Sequence, residues 1–134
     1  KQIELIRKVE KGYPGHSHWS ADSVINNQKG IRTLLKTKTY ASPALIPPSK
    51  WLKGKTPKRP TLLISPIGDR LKLRMAPQED VRFWLLQTKR SKTWTSQLLD
   101  GDQDSFEIDS ADTISVSALG YTGLLSKAIE YQFE

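Results

Sequence analysis

The sequence predicts a mainly β protein: a seven-stranded antiparallel sandwich over the C-terminal half, preceded by a short α/β segment. Three observations carry this. The apolar spacing changes from a helical period to a period of two at about Thr61. The stretch Val81–Lys89, with Val81, Phe83 and Leu85 on one side of an extended chain and Trp84 and Leu86 on the other, reads as a central strand covered on both faces. The charge also breaks in two. Residues 1–59 hold thirteen Lys/Arg and three Asp/Glu, for +10, and residues 60–134 hold eight and eleven, for −3, within a total of +7.

The chain has 134 residues, which fits one domain with an attached piece. No apolar run approaches the roughly 18–20 residues that span a bilayer. The absence of Cys excludes disulfides and thiolate metal sites. The chain opens on Lys1 inside a helical pattern, without Met or leader, so a piece of a longer protein is expected.

In the first forty residues, Ile3 and Ile6 with Leu5 mark a helix over 1–10, stopped by Gly12, Pro14 and Gly15. His16–Val24 suits a strand running into a loop. Residues 26–40 read as a second helix with Ile31, Leu34 and Leu35 on one face and Asn26 or Asn27 as cap. This helix–strand–helix rhythm belongs to an α/β repeat. Residues 41–59 form a connector in which Pro43, Pro47, Pro48 and Pro57 block regular structure, while Leu45, Ile46, Trp51 and Leu52 are too apolar for a free linker. A stiff segment packed on its neighbours is expected.

From residue 60 onward, strands are expected at 61–65, 70–75, 81–89, 93–99, 106–108, 113–119 and 127–133, with turns between them. Seven short strands at this spacing fit a sandwich of immunoglobulin or fibronectin type III character, and the lack of a Cys pair favours the fibronectin type.

One ordered string of residues goes further. Gly15-His16-Ser17-His18-Trp19-Ser20-Ala21, Asn27-Gln28-Lys29-Gly30-Ile31, Tyr40, Pro43-Ala44-Leu45, Pro47-Pro48 and Lys50-Trp51-Leu52 together resemble the tail of the glycosyl hydrolase-like family 10. The resemblance covers about residues 12–52. It implies that residues 1–40 are the end of a (β/α)₈ barrel and that residues 60–134 are the fibronectin-like domain that often follows it. It also implies a secreted, periplasmic or lipid-anchored location, a glycoside hydrolase as the parent protein, and the barrel itself as partner. The hairpin region 117–126, with Gly123 and Ser126, is similar to the join between the last two strands of such domains. The sequence departs from the family in Trp19, where Phe is usual, and in Ser49 within the proline run.

Candidate sites divide by chemistry. Glycoside hydrolysis normally needs two carboxyl groups about 5–10 Å apart. The α/β segment offers only Glu4, Glu10 and Asp22, so no catalytic residue is assigned and this chain by itself is expected to be non-catalytic. Asp22 follows the presumed last strand, at the end where barrels place their sites. The resemblance adds His18 and Trp19, with His16 beside them, as lining for a sugar. His16-x-His18 also has the spacing of a zinc pair, yet no third His exists, and no metal or cofactor is assigned. The acidic run Asp100–Asp104 lacks the Gly and Glu that a calcium-binding helix–loop–helix requires, since Ser105 and Ala111 stand there.

Trp51, Trp84 and Trp94 are candidate glycan or interface aromatics. Strict alternation buries Val81, Phe83 and Leu85, whereas comparison with fibronectin-like strands buries Trp84 and Leu86; both stay open here. The Lys-rich connector beside Trp51 raises a nucleic-acid or protein-interaction alternative. Its prolines, the lack of a framing motif and the acidic second half weigh against nucleic acid. Polysaccharide is the expected ligand class.

Overall fold

The computed structural model describes residues 2–10, 17, 20–49 and 51–133. They fall into two compact units, Lys1–Ala44 and Leu45–Glu134.

The first unit is helical among its described residues. Helix α1, Gln2–Val9, carries Glu4 in its first turn and Arg7 and Lys8 in its last, as the helix dipole favours. Arg7 Nη2 donates to the carbonyl of Thr39 at 3.2 Å, tying α1 to the end of the unit. Two expectations fail here. Part of the stretch expected as a strand, residues 21–24, is helical: α2 is Ala21–Ile25, entered from an extended Ser20.

The helix expected over 26–40 is broken. Asn27 and Lys29 both have φ 49° and Gly30 has φ 73°, all left-handed. Asn tolerates that conformation because its short amide can replace the lost backbone bonds. The Asn27 side chain does so, accepting from the Thr33 amide and donating to the Thr33 hydroxyl, both at 3.1 Å. Helix α3, Ile31–Leu34, then opens into a wider turn over Leu35–Thr39, closed by the Tyr40 amide on the Leu35 carbonyl at 2.7 Å. Leu35 is buried and Leu34 is half exposed, so the expected three-residue face narrows.

The second unit holds seven strands: β1 Leu62–Ile67, β2 Arg70–Met75, β3 Val81–Arg90, β4 Thr93–Asp100, β5 Ser105–Asp109, β6 Thr113–Gly120 and β7 Ile129–Gln132. The sequence-based strands agree with these to within two residues at nearly every end. All pairings are antiparallel, in a three-stranded sheet ordered β1-β2-β5 and a four-stranded sheet ordered β4-β3-β6-β7. One core cluster draws Leu62, Leu73, Met75 and Ile108 from the first sheet and Trp84, Leu86, Ile114, Val116 and Ala118 from the second.

The register of β3 settles the two alternatives for Val81–Lys89. A bulge between Val81 and Phe83 against β6 inserts one residue and reverses the facing of everything before it. Val81 therefore joins Trp84 and Leu86 in the core, although parity alone puts it on the other side. Leu85, on the opposite face, is also buried at 6% exposure, so β3 is covered on both sides as its composition requires. β6 is buried along its whole length. Its small residues Ser115, Ser117 and Ala118 let it lie between β3 and β7.

From Leu45 onward the connector belongs to this second unit. The Ser49 amide donates to the Thr122 carbonyl at 2.8 Å, and Pro57 and Pro60 are buried. Glycines permit the close approach. A Cβ on Gly54 would stand 2.6 Å from Thr122 Cγ2, and one on Gly123 would stand 2.9 Å from the Pro47 carbonyl oxygen. Arg59 Nε donates to the Ala128 carbonyl at 2.9 Å, and Tyr131 Oη reaches the Leu62 carbonyl at 3.0 Å. Ser126, singled out in the sequence, is buried and bonded to the Ala118 amide and the Lys127 carbonyl, each at 2.9 Å.

Two tests follow from this packing. Leu73→Ala should cost about 2–5 kcal/mol in urea unfolding, and Leu63→Ala, on the outer face of β1, within about 0.5 kcal/mol. Equal losses would reject the assigned faces. Gly68 and Gly123 both have positive φ, but a Cβ on Gly68 meets nothing within 4 Å. Gly68→Ala should lose about 1–2 kcal/mol from backbone strain, and Gly123→Ala clearly more, because it also pushes the connector away. Equal losses would show that the connector does not press on that turn.

Candidate functional site

The sequence-predicted residues part company in the structure. His16, His18 and Trp19 lie outside the described residues. Asp22 is exposed in α2 and accepts a hydrogen bond from Asn26 Nδ2 at 2.7 Å, a local helical bond. Trp84 is withdrawn as a ligand-binding aromatic. It is 1% exposed in the heart of the sandwich, and its Nε1–H has no acceptor among the described residues, so the ring serves by its bulk. Trp94 stands half exposed on β4 opposite Lys89, on the outer face of the four-stranded sheet. Trp51 is the most open of the described large apolar side chains, at 81%.

Trp51 begins a strip of surface in the second unit. From 51 to 59 the chain carries Lys53, Lys55, Lys58 and Arg59 and no acid. The three lysines are exposed and make no ion pair among the described residues. The strip is held, not free. Leu52 N donates to the Ser49 carbonyl at 3.0 Å, Gly54 lies on Thr122, and Pro57 lies on Gly120. Gln78 Nε2 closes the far end on the Arg59 carbonyl at 3.4 Å.

Alongside runs a cleft of about 430 Å³ lined by Lys55, Thr56, Pro57, Lys58, Pro77, Gln78, Glu79 and Asp80. Tyr121, 67% exposed, is next in sequence to Thr122, which anchors the connector. Cations and carboxylates lining one cleft, with the exposed Trp51 at the start of the same strip, can hydrogen-bond and stack on a polar ligand with flat apolar faces.

Glu79 and Asp80, which line the cleft, were not legible as site residues in the sequence. They sit in turns far from the connector along the chain. The only signal was the buried prolines that had to rest on something. The acidic loop after β4 is a turn in which Asp100 Oδ1 accepts the Asp102 amide at 3.1 Å. Among the described residues, no group of three or more His, Cys, Asp or Glu is placed to hold a metal ion. No helix among them is long and apolar enough to cross a membrane.

The second unit thus defines a two-sheet β-sandwich with a clamped basic connector. No protein-family model matches the chain. The glycosyl hydrolase YngK of Bacillus subtilis (strain 168) is 39% identical over 62 residues, 46% of this chain and 12% of that protein. The chain thus spans only a small part of the length of this curated relative, and the relationship is to a glycosyl hydrolase. The crystal structure of the spore cortex lytic enzyme SleM of Clostridium perfringens is similar with a TM-score of 0.47 at 18% identity, covering 58% of this chain and 28% of that one.

Stability separates the tryptophans. Trp84→Ala should lose about 3–5 kcal/mol, while Trp51→Ala and Trp94→Ala should stay within about 0.5 kcal/mol in denaturant titrations. A loss above about 2 kcal/mol at Trp51 would make it a packing residue and remove it from the site.

Proposed function

We propose that this chain is the non-catalytic accessory part of a glycoside hydrolase that acts outside the cytoplasm. The 39% identity to a glycosyl hydrolase over 62 residues carries the reading. In it, residues 1–40 are the end of a (β/α)₈ barrel of the family 10 type, residues 41–59 join it to the sandwich, and the sandwich buttresses that barrel and assists in holding polysaccharide or cell-wall glycan. The strand order supports a fibronectin type III character for the sandwich. The fourth strand, β4, pairs with β3, whereas an immunoglobulin constant-type sandwich pairs it with the other sheet. His16, His18, Trp19 and Asp22 are then lining residues of the barrel mouth, and Trp51 and Trp94 are the aromatics of the accessory surface.

The nucleic-acid alternative has less behind it. The basic strip is short, and the carboxylates of Glu79 and Asp80 share its cleft. The test combines two readouts on the chain alone: reducing ends released from a panel of plant and bacterial polysaccharides, and retention on the same polymers beside single-stranded DNA at two salt concentrations. The reading predicts no reducing ends and retention on at least one polysaccharide. Released reducing ends would overturn the non-catalytic role. Binding to DNA alone, collapsing with salt, would overturn the glycan role.

A further inference from the structure

Resting on the glycan reading above, we propose that the strip Trp51–Arg59, with the cleft walled by Glu79 and Asp80, binds a carboxylate-bearing polysaccharide, its occupant being a stretch of acidic sugar chain and not a neutral one.

Lys53, Lys55 and Lys58 stand exposed and make no ion pair among the described residues, on a backbone fixed at Ser49, Gly54, Pro57 and Pro60. Burying Pro57 and Pro60 while leaving the lysines between and beside them outside means that the segment is ordered in the free protein. A ligand then meets cations whose backbone entropy has already been lost. Trp51 offers an exposed ring to the apolar face of a sugar.

Charge pattern chooses the ligand. A neutral glycan leaves three ammonium groups unused. A nucleic acid brings phosphates up to Glu79 and Asp80 across the cleft from Lys55 and Lys58, and a deoxyribose backbone has no hydroxyl to donate to them. A polyuronate carries one carboxylate per sugar with free hydroxyls beside it, so it places carboxylates on the lysines and donates hydroxyls to Glu79 and Asp80, where carboxylate oxygens accept.

The experiment is a binding titration of the full chain with polygalacturonate, its fully methyl-esterified form and single-stranded DNA, in low and moderate salt. The expected result is binding to polygalacturonate, about tenfold weaker in Trp51→Ala and in the triple variant Lys53→Ala/Lys55→Ala/Lys58→Ala. The ester should bind no better than the triple variant binds the acid. A second triple variant, Lys72→Ala/Lys89→Ala/Lys92→Ala, removes the same charge elsewhere on the sandwich and should keep the affinity.

Equal loss in both triple variants would overturn the inference in favour of net charge. Equal binding of acid and ester would overturn it while leaving the broader glycan role standing. Tighter binding to DNA, or no binding to polygalacturonate, would overturn it as well. In that case the neutral members of the wider panel decide the glycan role by themselves.

Discussion

The second unit depends on the facing of β3. One inserted residue between Val81 and Phe83 lets Val81, Trp84 and Leu86 all point into the core, while Leu85 is buried behind them. Without the bulge, either Val81 or the Trp84–Leu86 pair would face the wrong way, since a slip of one residue turns every side chain over. The surrounding chain is fitted to this irregularity. Gly101, just after β4, donates to the Arg82 carbonyl at 3.1 Å, and a Cβ there would stand 2.5 Å from the Val81 oxygen. Only a residue without a side chain can lie against the bulged backbone. At the partner end, Val81 pairs with Gly120, the residue on which Pro57 rests. The core, the bulge and the clamped connector are therefore one mechanical chain.

That chain explains how a basic segment rich in proline comes to be a fixed surface. Prolines remove donors and stiffen the backbone, so such a segment cannot hold itself by a ladder of its own. It is held by groups that other elements offer. The Thr122 carbonyl takes the Ser49 amide, the Ala128 carbonyl takes Arg59, Gly54 makes room for the Thr122 side chain and Gly120 for the Pro57 ring, and Gly123 lets its backbone meet that of Ile46–Pro48. Pro57 and Pro60 are buried, while the lysines and Trp51 are exposed. The functional reading follows from that exposure together with the relationship to a glycosyl hydrolase.

Much of the sandwich was legible in the sequence because its strands alternate. Leu71, Leu73 and Met75 interleave with Lys72 and Arg74, and the structure places β2 at Arg70–Met75, the expected bounds. Parity could not decide the facing of Trp84, because the bulge that resolves it leaves no residue signature of its own. In the first unit the helical pattern of Ile31, Leu34 and Leu35 was real, but the expected cap at Asn27 acted as a breaker. A left-handed Asn followed by left-handed Lys29 and Gly30 is a local solution that hydrophobic spacing does not report. The site was the least legible part. Trp51 and the lysines were visible, whereas Glu79 and Asp80 come to Lys55 and Lys58 only through the fold.

A fixed surface at Trp51–Arg59 requires the connector to be part of the sandwich. Amide hydrogen exchange of the chain, resolved by residue, tests this directly. The account predicts that the amide of Ser49, bonded to Thr122, and that of Gly120, bonded to Leu124, exchange together with the slow amides of β3 and β6. Exchange of Ser49 at the rate of an open loop, with β3 and β6 still protected, would contradict it and leave Trp51 and its lysines on a free tether.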